Sequence, residues 1–531
     1  MASESRFAPG RTVAVIGAGI GGISAAAYLL KEGLSVTVFE RADVAGGIWH
    51  FDERVPDDPP YPSQLPSLAD YQPSQPGEFA YATPPPDSPV DGESRKDDGG
   101  EALETADSTS LEVRFAPPGA CYAGLTNNIP TSILVSSLGP WPEGTALEVS
   151  QDQAESYIQG LSRKHGVHAV TQYNMRVDEA RKSPDGTKWE VRTVTLEWRR
   201  APAGPQLIER TRQFDLLAVA SGHYSTPRVP DFAGLREWKA AFPARVTVSK
   251  QYRRPDKFRG KNILVIGAGV SGSDICRETA GIASTVYQSV RGGLYDTPAH
   301  LLPKSTIRIG EVDRFVLNDS LVEGDEQQLG DDTPLPGSIV LKDGTVLQDI
   351  HHVVIAVGYI TSYPFLPHLQ SDTVAPADAG PELLVTSDGN MAHNLHKDIF
   401  YIPDPTLAFI GVPYHAVTFA LFDFQAKVLA RVFSGRAFLP ARADMVEEYQ
   451  AKVKDRGVGR KFHSLAETGR EVGYVKDLVD WVNRDGEPLG EPRIAGHEEE
   501  WVKELAVLKD RLTKAWFGAK PDVKAEGSSL V

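Results

Sequence analysis

Two short glycine phrases in this chain have the residue types and spacing to hold a pyrophosphate. The first, Gly17-Ala-Gly-Ile-Gly-Gly22, places glycines at 17, 19 and 22 directly after Val13-Ala-Val-Ile16. In such a loop the first glycine makes the turn out of a strand and the second lets backbone approach a pyrophosphate. The third lets a helix pack on the strand, and the anion sits on the helix N-terminus. Glu40 follows Gly17 at the distance of roughly 20 residues where a carboxylate accepts hydrogen bonds from a ribose 2′-hydroxyl. The second phrase, Gly267-Ala-Gly-Val-Ser-Gly272, repeats the loop, but Ser289 takes the place of Glu40 and Arg291 follows it. A hydroxyl and a guanidinium bind a 2′-phosphate that a carboxylate would repel. The pair predicts one site for an adenosine with a free ribose and one for NADP(H).

Such loops work only when strands and a helix hold them. Val13–Ile16 is an apolar run that stops at Gly17, as a strand buried on both faces does. Ile23–Leu30 reads as a helix closed by Gly33, and Leu34–Phe39 as a second strand ending at Glu40. The second copy repeats this unit with a strand over Asn262–Ile266, a helix from about Ser271 to Ala280, and a strand over Ser284–Gln288. Each unit is followed by an Asp-Gly hairpin, at Asp185-Gly186 and Asp343-Gly344, and then by an apolar strand delivering a glycine. Those strands are Leu216–Gly222 and Val353–Gly358. The predicted fold class is α/β, with two Rossmann-type dinucleotide-binding domains carrying β-meanders, the second domain inserted in the first. The predicted boundaries are 1–223 and 371–531 for the first domain and 224–370 for the second.

Composition narrows the function classes. A chain of 531 residues with 41% hydrophobic and 24% charged residues has the make-up of a soluble globular protein of two or three units. Its net charge of −16 repels polyphosphate backbones, so no nucleic-acid partner is expected. Cys121 and Cys276 form neither a CxxC pair nor a metal-ligand spacing, which excludes a dithiol redox centre and predicts no metal. No apolar run reaches membrane-helix length, and MASESRFAPGRT lacks the pattern of a secretory leader, so the expected location is cytoplasmic. Self-association is left open. Residues of about 53–118 include ATPPPDSPVDGESRKDDGGE and predict a largely disordered surface insertion. The tail beyond about Pro440 reads as polar, mostly helical packing with no chemistry of its own.

Further phrases accompany the loops in order: Gly46-Gly-Ile-Trp49, Tyr122-Ala-Gly-Leu-Thr-Asn-Asn-Ile-Pro130 and Ser221-Gly-His-Tyr-Ser-Thr-Pro-Arg-Val-Pro230. Ala356-Val-Gly-Tyr359 with Pro364-Phe-Leu366, and Phe409-Ile-Gly-Val-Pro413 with Asp423-Phe-Gln425, complete the set. From about residue 12 to 440 it resembles the flavin-containing monooxygenases, class B flavoprotein monooxygenases that use FAD and NADPH. The resemblance assigns Gly17, Gly19, Gly22, Glu40, Gly47, Trp49 and Gln425 to FAD. It assigns Gly267, Gly269, Gly272, Ser289 and Arg291 to NADPH, with Ser249 and Tyr252 beside the nicotinamide. Asn128 matches the family's asparagine near the flavin's reactive edge and is the catalytic candidate, against a turn role before Pro130.

The resemblance implies hydride transfer from NADPH to FAD, formation of a C4a-hydroperoxyflavin with O2, and transfer of one oxygen atom to a small organic substrate. N- or S-oxygenation or hydroxylation is the expected outcome. The chain departs from the family pattern in several places. The fingerprint expected over Phe242–Tyr252 has Ala244 for its glycine and Val248 for its histidine, Val357 replaces a threonine, and Asp423 replaces a glutamate. Val248 weakens one alternative, a Baeyer–Villiger monooxygenase, whose fingerprint carries the same histidine. It favours another, a flavoprotein that oxidises NADPH without oxygenating a substrate. No run of residues is diagnostic of the substrate.

Overall fold

The computed structural model describes residues 7–8, 10–74, 106–198, 205–293, 296–318 and 330–517. β1 (Thr12–Ile16) is mostly β-branched and lies between β2 (Ser35–Phe39) and the later β3 (Leu216–Val219), parallel to both. Val15 faces Val38 on one side and Ala218 on the other. α1 (Ile20–Lys31) crosses from β1 to β2 and is buried from Ile20 to Leu29. Burial stabilises by roughly 1.5–3 kcal/mol for each large apolar side chain, so Val13, Val15, Val38, Ile23 and Leu29 strongly favour the register that shapes the first loop. Before β3 comes a three-stranded antiparallel meander, Met175–Lys182, Trp189–Trp198 and Pro205–Phe214, whose first turn holds the predicted Asp-Gly.

The second unit repeats the plan. β4 (Asn262–Ile266), α2 (Val270–Thr279), β5 (Thr285–Ser289) and β6 (His352–Ile355) build a five-stranded parallel sheet. Its order is Thr306–Ile309, β5, β4, β6, Val246–Val248. A second meander runs Val312–Leu317, Gly337–Leu341, Val346–Leu347. The chain then returns to the first sheet, where β7 (Leu407–Phe409) pairs in parallel with β3. Phe400–Tyr401, Leu395–His396 and, at the far edge, Thr171–Gln172 bring that sheet to seven strands. α3 (Thr418–Phe433) packs on α1. The second sheet therefore lies wholly between two parts of the first, and the outgoing and returning segments, Thr226–Pro227 and Tyr359–Ile360, pair antiparallel.

The flanks of the expected disordered insertion correct the sequence reading. Asp70 is buried between Arg41 (2.8 Å) and Lys250 (2.9 Å), and Ser63 exchanges backbone hydrogen bonds with Val229. Gln251 donates to Asp58 and to the Pro56 carbonyl, Arg253 to the Arg54 carbonyl, and Ser67 to Asp372. Residues 51–74 thus strap the two units together through ionic and polar contacts, which leave no hydrophobic periodicity to read. Ala106–Phe115 is helical, with Val113 and Phe115 buried. The remainder of the insertion, 75–105, lies outside the described residues. Helices Arg442–Arg456, Arg470–Gly486 and Glu499–Phe517 form the tail, with Leu478, Trp481, Val482 and Leu505 in the core of the first unit. Among the described residues no helix is long and apolar enough to cross a membrane.

Candidate active site

The carboxyl ends of both sheets open onto one cavity of about 2700 Å³, the place where open α/β sheets take ligands. Gly17 and Gly267 occupy matching corners with φ of +103° and +118°, a conformation that disfavours side chains. A Cβ on Gly17 would stand 2.6 Å from the Ala220 carbonyl oxygen, and one on Gly267 would overlap that of Ala356. Gly22 and Gly272 sit so close to the carbonyls of Gly17 and Gly267 that a Cβ on either would overlap them. The helices that follow start at Gly19 and Gly269, with no side-chain cap and no acidic residue in the first turn. Their first-turn N–H groups are therefore left for an anion. Both loops fit a pyrophosphate.

The two sites differ in charge. Glu40 directly follows β2, where its Oε2 accepts from the Ala18 amide (2.7 Å) and its Oε1 from the Ala42 amide (2.9 Å). These bonds orient the carboxylate toward the first loop and leave further lone pairs for a ribose. In the second site Ser289 is buried and donates to the Gly310 carbonyl at 2.9 Å. Arg291 is exposed on the cavity wall with no ion-pair partner among the described residues. The guanidinium, rather than the hydroxyl, is what this site presents to a phosphate.

Between the loops stand the groups expected near the flavin. Gly47 and Trp49 line the cavity, the Gly47 backbone packs against Gly19, and the Trp49 ring meets Phe419 edge-on at 6.4 Å. The neighbouring asparagines divide two roles. Asn127 is buried; its Nδ2 donates to the carbonyls of Ile129 (2.6 Å) and Leu147 (2.9 Å), and its Oδ1 accepts from the Val149 amide. Asn128 is exposed to the cavity, and its side chain makes no hydrogen bond among the described residues. The turn role belongs to Asn127. Gln425 does not reach the cavity: it is fully buried, accepting from the Gly411 amide (2.9 Å) and donating to the Tyr474 hydroxyl (2.9 Å). It holds the Gly411 stretch that does line the wall. Asp423 is buried too, accepting from the hydroxyls of Ser24 (2.6 Å) and Ser136 (2.8 Å) and from the Ser137 amide. Burial raises its carboxyl above the ordinary range.

On the second domain's side Ser249 lines the cavity, whereas Tyr252 lies behind it, edge-on to Tyr122 at 5.6 Å. Tyr252 donates to Glu278 (2.5 Å) and Tyr122 to Asp274 (2.7 Å), so the segment that carries Asn128 is tied to α2. Val248 is buried in the apolar core of the second unit. His223 lines the cavity, and burial pushes its ring down to about 4, so it is neutral at physiological pH. The sequence reading missed the tail's contribution: Arg460, Lys461, His463, Leu512 and Trp516 all reach the cavity. Their turn and helix have no motif spacing that could have flagged them. Among the described residues no cluster of side chains could hold a metal ion.

Comparison with known proteins agrees with this geometry. The chain matches the family described as flavin-binding monooxygenase-like over residues 119–297 and 333–487. Residues 15–72 match an NAD(P)-binding Rossmann-like domain. It is 39% identical to the flavin-containing monooxygenase ustF2 of Aspergillus flavus, over 94% of this chain and 97% of that one. It is 32% identical to ustF1 of the same organism, over 95% and 91%. In fold it is similar to an S-allyl-L-cysteine S-oxygenase from Allium sativum (TM-score 0.62, 22% identity, covering 95% of this chain and 93% of that one).

Proposed function

Because the chain belongs to the flavin-binding monooxygenase-like family, we propose that its cavity oxygenates the nitrogen or sulfur of a small organic molecule, with FAD on the first loop and NADPH on the second. The protein is an FAD- and NADPH-dependent monooxygenase. One observation carries the assignment of sides: two loops of the same backbone shape face one cavity, one backed by Glu40 and the other by Arg291. Residues 1–223 and 371–531 form the FAD domain in this reading, and 224–370 the NADPH domain.

FAD and NADPH, when bound, would supply the activated oxygen derived from O2. The chain's own residues bind, orient and shield. The uncapped N-termini of α1 and α2 would hold the two pyrophosphates, Glu40 a ribose, and Arg291 a 2′-phosphate. The Asn128 amide, held in place by its buried neighbour Asn127, offers Nδ2–H and Oδ1 to groups at the reacting edge. Trp49, Ile410, Phe422 and Met391 give the cavity apolar surface that excludes water. His223 and His415, both pushed down to about 4 by burial, remain neutral at physiological pH. Transfer of oxygen to a soft nucleophile makes little demand on acid–base groups, in keeping with this set. Two buried thiols, Cys121 and Cys276, unpaired and pushed up to about 12 by burial, suit a cytoplasmic enzyme.

Oxygen uptake with NADPH and a panel of amines, sulfides and ketones tests the reading. It predicts one N-oxide or S-oxide formed per NADPH consumed with at least one nucleophile. Ester or lactone products alone would point to Baeyer–Villiger chemistry. Hydrogen peroxide formed one-for-one with NADPH, whatever the substrate, would show a flavoprotein that does not oxygenate.

A further inference from the structure

The turn joining Arg442–Arg456 to Arg470–Gly486 is fastened at several points. Arg456 donates through Nη1 to the carbonyls of Phe462 (2.8 Å) and Ser464 (3.1 Å), and the Gly459 amide to the Met391 sulfur (3.1 Å). The Tyr414 amide donates to the His463 carbonyl, and the Leu465 amide to the Tyr414 carbonyl, so the turn is tied to the cavity wall. Three residues of this turn line the cavity: Lys461, His463 and the exposed Arg460. The Arg460 Nη2 lies 2.7 Å from where a Cβ on Gly358 would stand, at the point where the chain leaves the second sheet.

No anion compensates this guanidinium. Among the described residues Arg460 makes no hydrogen bond and no ion pair. Arg228, within electrostatic range, donates to the Asp388 carbonyl (2.8 Å) and to Asn390 Oδ1 (3.0 Å), both uncharged acceptors. The Asp388 carboxylate, which accepts from Thr386 and Asn390, acts on Arg228 and offsets one of the positive charges here. His223 and His415, on the same wall, are neutral. This patch is therefore positive in a chain with a formal net charge of −16. A positive wall in a crevice draws in anions and holds them more strongly than open surface does.

We infer that the substrate oxygenated in this cavity is an organic acid and that Arg460 pairs with its carboxylate. The inference deepens the proposed N- or S-oxygenation and rests on it. FAD and NADPH are the other anions in the cavity, but their pyrophosphates have the N-termini of α1 and α2, and the NADPH 2′-phosphate has Arg291.

The test titrates FAD-loaded enzyme, saturated with NADP⁺, with 4-(methylthio)butanoate and with its methyl ester, read by the flavin difference spectrum. Wild type, Arg460→Gln and Arg460→Lys are compared, and the KM for NADPH is measured for each. The acid is expected to bind about 10- to 100-fold more tightly than the ester in wild type, the effect of one charge-assisted pair. That preference should vanish with Arg460→Gln and survive in part with Arg460→Lys. Equal affinities in wild type, no binding of the acid at millimolar concentration, or a preference unchanged by Arg460→Gln would overturn the proposal. So would a raised KM for NADPH with an unchanged acid-to-ester ratio, which would assign Arg460 to the cofactor. Failure of the functional reading itself gives a separate signal: wild-type flavin that NADPH does not reduce.

Discussion

Two adjacent asparagines show how far residue types alone carry an assignment. The phrase Tyr122–Pro130 marks both as candidates, and only their partners separate them: Asn127 closes a buried loop, while Asn128 is left to the cavity. Asn127→Ala should cost roughly 2–4 kcal/mol in urea unfolding, since it orphans buried backbone groups. Asn128→Ala should change stability by less than about 0.5 kcal/mol and act instead on the yield of oxygenated product per NADPH. Arg291 was legible because a basic residue after a strand that lacks the usual acid has a defined electrostatic meaning. Its replacement by alanine should raise the KM for NADPH about 10- to 100-fold and leave the KM for NADH nearly unchanged in steady-state assays. Ser289 was legible as a position but not as a partner, because its hydroxyl is engaged by the Gly310 carbonyl across the sheet.

At the scale of elements, both βαβ units emerge from the sequence within a few residues, because buried parallel strands and a glycine turn leave a local pattern. The corner at Gly17 gives a sharp test: Gly17→Ala introduces a side chain at φ +103° and presses it on the Ala220 carbonyl. That variant should purify without FAD and colourless, with no 450-nm flavin band. What α3 does was less legible. Asp423 and Gln425 match a flavin-facing motif, yet the helix buries them, using one to bind Ser24, Ser136 and Ser137 and the other to hold Gly411. Position on a helix face depends on what packs there, here α1, and a single-chain motif carries no record of it.

The whole molecule depends on contacts that composition hides. Residues 51–74 look like the start of a disordered insertion, yet Asp70 bridges Arg41 of the first unit and Lys250 of the second, while Asp58 and Ser63 bind the second. Burial alone would raise the Asp70 carboxyl, but Arg41 and Lys250 together hold it well below the usual range. A depressed carboxyl contributes stability that is fully present above its unfolded value of about 4 and is lost as pH falls through the folded one. Thermal stability of the wild type should therefore decline below about pH 4, and Asp70→Asn should flatten that decline. Asp70→Ala, which leaves the buried Lys250 and the half-buried Arg41 without their carboxylate, should cost about 3–5 kcal/mol in chemical denaturation. The tail's entry into the cavity was equally unmarked, since Arg460 and Trp516 lie on elements that read only as packing.

The central claim is that two similar loops serve one cavity with different cofactors, and anaerobic stopped-flow reduction of the bound flavin measures it directly. Purified protein should carry FAD and be bleached faster by NADPH than by NADH, with the difference lost in Arg291→Ala. Protein that binds no FAD, or flavin reduced equally by both nucleotides, would contradict the claim.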